Sequence, residues 1–199
     1  MRETGTVESV LPPAPGAERY LALDFVNSAI ALPGGHYVDL LGTPAATNRW
    51  LADHALAPED AGVQEMCATQ LRALREHIRS LFAARIAGLT PVPTALTAVN
   101  TALTSIPTAA LLLWDERDGP HRAAACPPHE ILERALATLA ADAADLLTGP
   151  DAESLTPCDS PPCNRYLLRH GRRHWCSTRC GDRVRAARAY ARRTQVKSL

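Results

Sequence analysis

The segment richest in potential chemistry holds four of the six cysteines of the chain, arranged in two close pairs. Cys158 and Cys163 form the first pair, and Cys176 and Cys180 follow after an interval of twelve residues. Thiolates are among the ligands that zinc prefers, and four of them complete its tetrahedron. The spacing therefore predicts one structural zinc ion held by these four cysteines, with no coordination position left for a substrate.

Other interpretations of the cysteines remain open. Disulfides require an oxidising compartment, for which the sequence offers no other support. His170 or His174 could replace one thiolate, although the cysteines alone complete the site. The remaining two cysteines, Cys67 and Cys126, are isolated, and such residues are more often small buried side chains than redox sensors.

Local signals around the cysteines predict how they are positioned. Two prolines rigidify the turn inside the first pair, and Cys176 and Cys180 stand one helical turn apart, on one face of a helix. Between the pairs, we expect a small hairpin that turns at Gly171. Ser177 is a suitable N-cap for the helix that follows. Together these features predict a treble-clef-like zinc finger.

An arginine-rich helix is predicted directly after the last cysteine. Arg185, Arg188 and Arg192 fall at helical spacing and form one cationic stripe. Arginine suits contacts to phosphates and to guanine edges. The candidate nucleic-acid contacts are Arg172, Arg173, Arg179, Arg183, Arg185, Arg188, Arg192 and Arg193.

The opposite face of this helix is less polar. We expect it to pack on the finger through Val184, Ala187 and Tyr190. Asp182 is expected to pair with Arg185 or to orient Arg183.

Charge is distributed unevenly along the chain. Residues 1–150 hold 10 Lys+Arg and 17 Asp+Glu, a net of −7, whereas residues 151–199 hold 11 and 4, a net of +7. A basic tail on an acidic body favours a polyanionic partner such as DNA. The alternative is that the helix pairs with the acidic body of its own chain, as an intramolecular latch.

The rest of the chain is predicted to be mainly helical. Helices are expected near residues 20–28, 43–56, 58–88, 93–105 and 129–147, with one hairpin between the last two. The fold class is therefore mainly α (α+β). The predicted division is a flexible arm at 1–18, a helical domain at 19–149, a linker at 150–157, and the finger with its basic helix at 158–195.

A ligand pocket in the helical domain is a further hypothesis. Polar residues within apolar surroundings could line it: Asp24, Asn27, His36 and Asp39. Ordinary capping and satisfied core polarity would explain the same residues. The sequence shows no phosphate loop, nucleophile elbow or catalytic metal signature, so we expect no enzyme.

Two motifs resemble known families. The string Trp175–Arg183, after the Cys158/Cys163 pair, resembles the CGNR zinc finger. Leu21–Ser28 resembles the start of the ABATE domain, which usually precedes that finger. The resemblance covers about residues 20 to 193. It implies the same four cysteine ligands, and Asp182 stands where the family has asparagine.

The resemblance also implies a function. Such proteins are bacterial, largely actinobacterial, and are described as stress-induced transcription regulators. A regulator of this kind would bind DNA through the finger and sense a small-molecule or protein effector through the N-terminal domain. We expect it to be cytoplasmic, since residues 1–17 lack a signal-peptide pattern and no stretch reaches the length of a membrane span.

Neither the oligomeric state nor the partner class is determined by the sequence. A homodimer is plausible on size alone, because a small monomer would contact only a short DNA site. The alternative functions are RNA binding and a protein-interaction adaptor built on the zinc finger.

Overall fold

The computed structural model describes residues 12–106, 110–117, 119–124 and 131–197. Cys126 lies outside these residues. The helices are α1 Leu21–Val26, α2 Pro44–Asp53, α3 Glu65–Ala87, α4 Pro93–Thr104, α5 Ile131–Thr148 and α6 Thr178–Lys197. The strands are β1 Ala29–Ala31, β2 Tyr37–Asp39, β3 Ala110–Asp115, β4 Gly119–Ala124, β5 Leu155–Pro157 and β6 Tyr166–Leu168. The mainly α architecture with small antiparallel hairpins is the predicted fold class.

The chain divides into two compact units. One, the finger unit, combines residues 12–39 with 150–197, and the other, the helical unit, comprises residues 40–149. The contacts therefore group residues 19–39 with the finger, whereas the sequence had placed them in the helical domain. Sequence periodicity identifies α1 but carries no information about which distant segment covers it.

The first helix of the helical unit is α2, and its N-cap Thr43 is the first residue of the helix predicted at 43–56. The Thr43 hydroxyl accepts the Ala46 N–H, and Pro44 occupies the first helical position. α3 begins at Glu65, several residues after the predicted start at Pro58, and ends at Gly88 in the left-handed conformation, as predicted.

The core of the helical unit comes from the inner faces of its helices. Its large buried side chains are Leu51, Leu71, Ile78, Phe82, Leu139 and Leu146. In α4, Val99 is buried, whereas Leu96 of the same helix is 44% exposed. β3 and β4 form the predicted hairpin in register Leu112↔Arg122.

The finger unit contains α1, α6 and two short antiparallel hairpins. β1 pairs with β2 in register Ile30↔Val38, and β5 pairs with β6 in register Thr156↔Leu167. α1 is an almost fully buried helix, with Leu23, Phe25 and Val26 removed from solvent. Among the described residues, no helix has both the length and the apolar character needed to cross a bilayer.

Part of the predicted flexible arm is packed in the structure. Ala14 is buried in the core of the finger unit, and the Leu168 N–H donates to the Pro15 carbonyl at 2.8 Å. Gly16 has a φ of +97°, and a Cβ atom there would lie 2.5 Å from Leu168 Cγ. Only a residue without a side chain allows the backbone to approach so closely. The prediction of a flexible arm is thus wrong for residues 12–18, and residues 1–11 lie outside the described part.

Candidate metal centre and nucleic-acid interface

The first cysteine pair lies in the loop that joins β5 to β6. Cys158 directly follows β5, and its N–H donates to the Arg165 carbonyl at 2.8 Å, which closes the loop. The Cys163 N–H donates to the Ser160 carbonyl inside it. The predicted hairpin around Gly171 is wrong, although a turn does occur there. β6 pairs with the preceding strand β5, so the first cysteine pair lies in the loop of the β5–β6 hairpin.

The second cysteine pair lies at the start of α6. Ser177 caps this helix as predicted, since its hydroxyl accepts the Cys180 N–H at 3.2 Å. Cys180 therefore lies in the first turn of α6, while Cys176 precedes the helix by two residues. The buried Ser160 hydroxyl donates to the Cys180 carbonyl at 3.0 Å and ties this turn to the first loop.

The four cysteine sulfur atoms converge on one point. All of them lie within 4.8 Å of one another, and Cys176 Sγ is 3.6 Å from the Sγ atoms of both Cys163 and Cys180. A tetrahedron with Zn–S bonds of about 2.3 Å has sulfur atoms about 3.8 Å apart. A disulfide would require only about 2.05 Å. The spacing fits one zinc ion and does not fit disulfides.

Interactions among these thiols shift the pKa values of three of the cysteines. Interactions with the thiols of Cys158 and Cys163 lower the pKa of Cys176 to about 2. Interactions with the thiols of Cys158 and Cys176, together with burial, raise the pKa of Cys163. A bond with Cys163 lowers the pKa of Cys158, but the bond to Cys176 and burial outweigh it and raise that pKa to about 12. A metal that takes all four thiolates must therefore displace protons.

Two guanidinium groups lie against the sulfur atoms. Arg165 is buried, and its Nη1 approaches Cys176 Sγ at 3.8 Å while Nη2 donates to the Pro12 carbonyl at 2.9 Å. Arg183 Nη2 donates to Cys180 Sγ at 3.3 Å and to the Ser160 carbonyl at 3.0 Å. Because Zn²⁺ with four thiolates carries a net charge of −2, these two cations offset it.

Neither arginine was assigned this position from the sequence. Arg165 was not singled out at all, and Arg183 was grouped with the nucleic-acid contacts. Residues 151–199 hold eleven lysines and arginines. Nothing in the sequence distinguishes Arg165 and Arg183 from the arginines that lie at the surface. Only the folded structure shows that they contact sulfur.

An asparagine of the N-terminal segment holds β6. The Asn27 side-chain amide donates to the Tyr166 carbonyl at 2.9 Å, and its oxygen accepts the Tyr166 N–H at 2.8 Å. Nearby, the Ala31 N–H donates to the Asn164 side chain at 2.9 Å. Asn27 is 2% exposed, so both of its bonds are shielded from water. These contacts fasten α1 and β1 to the finger.

The hypothetical ligand-pocket residues all lie in the finger unit, in or directly after α1 and in the β1–β2 hairpin. Asn27 is occupied by the Tyr166 backbone, Asp24 lies half-buried in α1, and Asp39 ends β2 opposite Ala29. His36 is exposed in the connection between β1 and β2. Of these four residues, only His36 lines the cleft found in the finger unit.

His36 instead lines a cleft within the finger unit. The cleft has a volume of about 350 Å³. One wall comes from the β1–β2 hairpin and the other from the metal-binding loop and the first turns of α6. The lining residues are Ala31, Leu32, Pro33, His36, Cys163, Arg179, Cys180 and Arg183.

α6 presents its arginines to solvent. Arg179, Arg185, Arg188, Arg192 and Arg193 are all exposed, as are Arg172 and Arg173 in the preceding turn. The prediction that Ala187 and Tyr190 pack on the finger is wrong, since both are exposed, Tyr190 by 71%. Val184 is half-buried. α6 extends beyond the finger after its first turns, so Ala187 and Tyr190 have no buried surface to pack on.

Asp182 has the local role that the sequence predicted. Its carboxylate pairs with the Arg185 guanidinium one turn further along α6. That guanidinium also lies 5.8 Å from the centre of the Trp175 ring, which packs against the metal-binding cluster. Arg185 is therefore oriented by both an acid and an aromatic ring.

Comparison with known proteins places both parts of the chain. A family model named ABATE, described as "Putative stress-induced transcription regulator", matches residues 20–150. A second model, the CGNR zinc finger, matches residues 155–193. No curated protein matches the chain. The four converging cysteines and the zinc-finger match agree on one structural zinc ion.

Proposed function

We propose that this chain, which belongs to the ABATE family and carries a CGNR zinc finger, is a zinc-dependent DNA-binding transcription regulator. The observation that carries the proposal is the row of exposed arginines on α6, a helix whose first turn is part of the metal centre. Zinc organises the finger, and the finger fixes the direction of the helix. The arginines then contact phosphates or base edges of a DNA duplex.

The arginines have three different roles in this proposal. Arg188, Arg192 and Arg193 are exposed along the distal half of α6 and form the central contacts. Arg172, Arg173, Arg179 and Arg185 add to the same charge. Arg183 supports the contact indirectly, because its guanidinium is engaged by Cys180 and Ser160.

The test is binding of the zinc-loaded protein to random duplex DNA over a salt series. Each phosphate contact releases counterions, so log affinity should fall against log salt with a slope near −0.9 per contact. A chelated sample should not bind. Duplex RNA serves as competitor, and preferential RNA binding would replace DNA by RNA as the ligand. Zinc-independent binding with a flat salt dependence would contradict the proposal.

The variant Arg188→Ala distinguishes the contribution of the α6 arginines to DNA binding from the contribution of zinc. We expect this variant to keep one zinc ion per chain and to bind DNA with lower affinity and a slope smaller by about 0.9. Arg49→Ala is the control, since Arg49 is an exposed arginine on α2 of the helical unit. Equal salt slopes for the two variants would exclude Arg188 as a phosphate contact.

We infer that the helical unit receives the effector, and that the effector is a protein. Leu112 and Trp114 of β3 are 72% and 78% exposed, and exposed apolar strand residues favour a protein contact. Trp114→Ser should leave zinc content and DNA affinity of the purified protein unchanged, and abolish regulation of a reporter promoter in cells. Unaltered regulation by that variant would remove β3 as the effector surface.

A further inference from the structure

We propose that the β1–β2 hairpin is a second DNA-contacting element, whose tip Pro33–Tyr37 receives a phosphate of the duplex beside the start of α6. This inference rests on the proposed function and deepens it. The sequence had treated this region as part of a sensing domain, whereas the structure assigns it to the finger unit.

The hairpin is fixed to the finger at the end of β1 and just before its start. The Ala31 N–H donates to the Asn164 side chain, and Asn27, two residues before β1, holds both backbone groups of Tyr166. The tip therefore has a defined position relative to the first turn of α6. A preorganised second contact adds affinity because little conformational entropy is lost when it binds.

The chemistry of the tip suits a polyanion. Every residue from Pro33 to Tyr37 is exposed, and the connection between the two strands contains no acidic residue. Gly34 and Gly35 both have a φ of +77°, and nothing lies within 4 Å of where a Gly35 side chain would start. A phosphate can thus approach the glycine backbone more closely than it could approach residues that carry side chains.

The cleft beside the tip combines donors from both walls. His36 lines it from the hairpin and Arg179 from α6, and no lining residue is an aspartate or a glutamate. The thiolates of Cys163 and Cys180 also line it, and the guanidinium groups of Arg165 and Arg183 against the metal centre offset their charge. An imidazole N–H and a guanidinium facing one opening can hold one phosphate between them. Tyr37 is 58% exposed next to His36, and an aromatic ring at this position can pack on a sugar or a base edge.

A DNA duplex is favoured over a protein partner by charge. The exposed arginines of α6 begin at Arg179, which is itself a lining residue of the cleft. One polyanion lying along α6 would continue into the cleft, whereas a protein would need an acidic strip of matching length. If substitutions in the tip leave DNA affinity unchanged and an unrelated protein binds there, the partner of the tip is a protein and not DNA.

The experiment changes charge at an exposed position. His36→Arg and His36→Glu are made in the full zinc-loaded chain, and duplex DNA binding is measured over a salt series. We expect His36→Arg to bind several-fold more tightly with a slope steeper by about 0.9, and His36→Glu to bind several-fold more weakly. Zinc content and helical circular dichroism should be the same for both variants.

Two controls keep the result specific. Gln70→Arg and Gln70→Glu make the same charge changes at an exposed neutral residue of α3, in the helical unit, and should have little effect. Tyr37→Ala should lower affinity without altering the salt slope, because its contact carries no charge.

The outcomes separate the two proposals. If the wild-type chain binds DNA and the His36 variants behave like the Gln70 variants, the hairpin inference is overturned while the proposed function stands. If the wild-type chain shows no zinc-dependent DNA binding, both are overturned.

Discussion

Arg165 is a buried side chain that contacts the metal centre without being a ligand. Its buried guanidinium spans from Cys176 Sγ to the Pro12 carbonyl, and so joins the metal centre to the N-terminal segment. Hydrogen bonds to coordinating sulfur stabilise the thiolate and keep it oriented. Arg165 therefore contributes both to metal affinity and to the fit of residues 12–18.

We predict that Arg165→Met weakens zinc binding by about 10- to 100-fold, the usual range for removing a group that supports a metal ligand. The measurement is zinc competition against a chromogenic chelator. Arg169→Met is the control, since Arg169 is an exposed arginine close by in the same unit. Equal zinc affinities for the two variants would show that Arg165 has no influence on the metal.

Residues differ in how far their roles could be predicted from sequence. The cysteine ligands were predictable because their spacing alone matches the needs of one metal, and Ser177 because a cap acts over three residues. Asn27 and Arg165 were not, since their partners Tyr166 and Pro12 lie far away in the chain. Nothing local marks which distant backbone group a polar side chain will contact.

At the scale of elements, the close approach of residues 15–16 to β6 is the contact most sensitive to a small change. The Leu168 N–H is satisfied by the Pro15 carbonyl, and Gly16 leaves no space for a Cβ beside the buried Leu168 side chain. Backbone strain and overpacking would therefore act together there.

Gly16→Ala should destabilise the zinc-loaded protein by about 2 to 5 kcal/mol, from roughly 1–2 for the left-handed backbone and about 1–3 for the overlap. Gly171→Ala isolates the first term, because Gly171 has a φ of +58° and nothing lies within 4 Å of its missing Cβ. Denaturant unfolding of both variants measures the difference. Equal losses would mean that Leu168 moves aside without cost.

Element prediction succeeded where a local pattern is sufficient and failed where a partner must be chosen. Helical spacing and Thr43 predicted α2, and Gly88 predicted the end of α3. The strand Tyr166–Leu168 was predicted to turn back at Gly171 but pairs with β5, because hydrogen bonding along that strand depends on what else reaches it. Tyr190 has helical spacing for packing, yet the finger is too short to cover it.

The whole molecule should respond to zinc removal in two parts. The finger unit contains a buried cluster in which three of the five members are cysteines, so its stability depends on the metal. The helical unit has its own buried core of leucine, isoleucine and phenylalanine side chains. A single two-state transition is then not expected.

Hydrogen exchange before and after chelation provides the test. We expect the amides of Leu168 and of Phe25 to lose protection together, while those of Leu74 and Ile78 in α3 keep theirs. The Phe25 amide is decisive, because the division predicted from sequence would keep α1 with the helical domain. Retained protection of α1 after metal loss would restore that division.

The grouping of residues 12–39 with 150–197 also has a consequence for the order in which the protein is made. The ribosome releases α1 and the β1–β2 hairpin long before the cysteines that complete their unit. The whole helical unit emerges in between and can fold first, as domains generally do during synthesis. Until translation reaches α6, the apolar side chains of Leu23, Phe25 and Val26 lack the segment they are folded with. A nascent chain stalled within α5 should therefore expose them to chaperones.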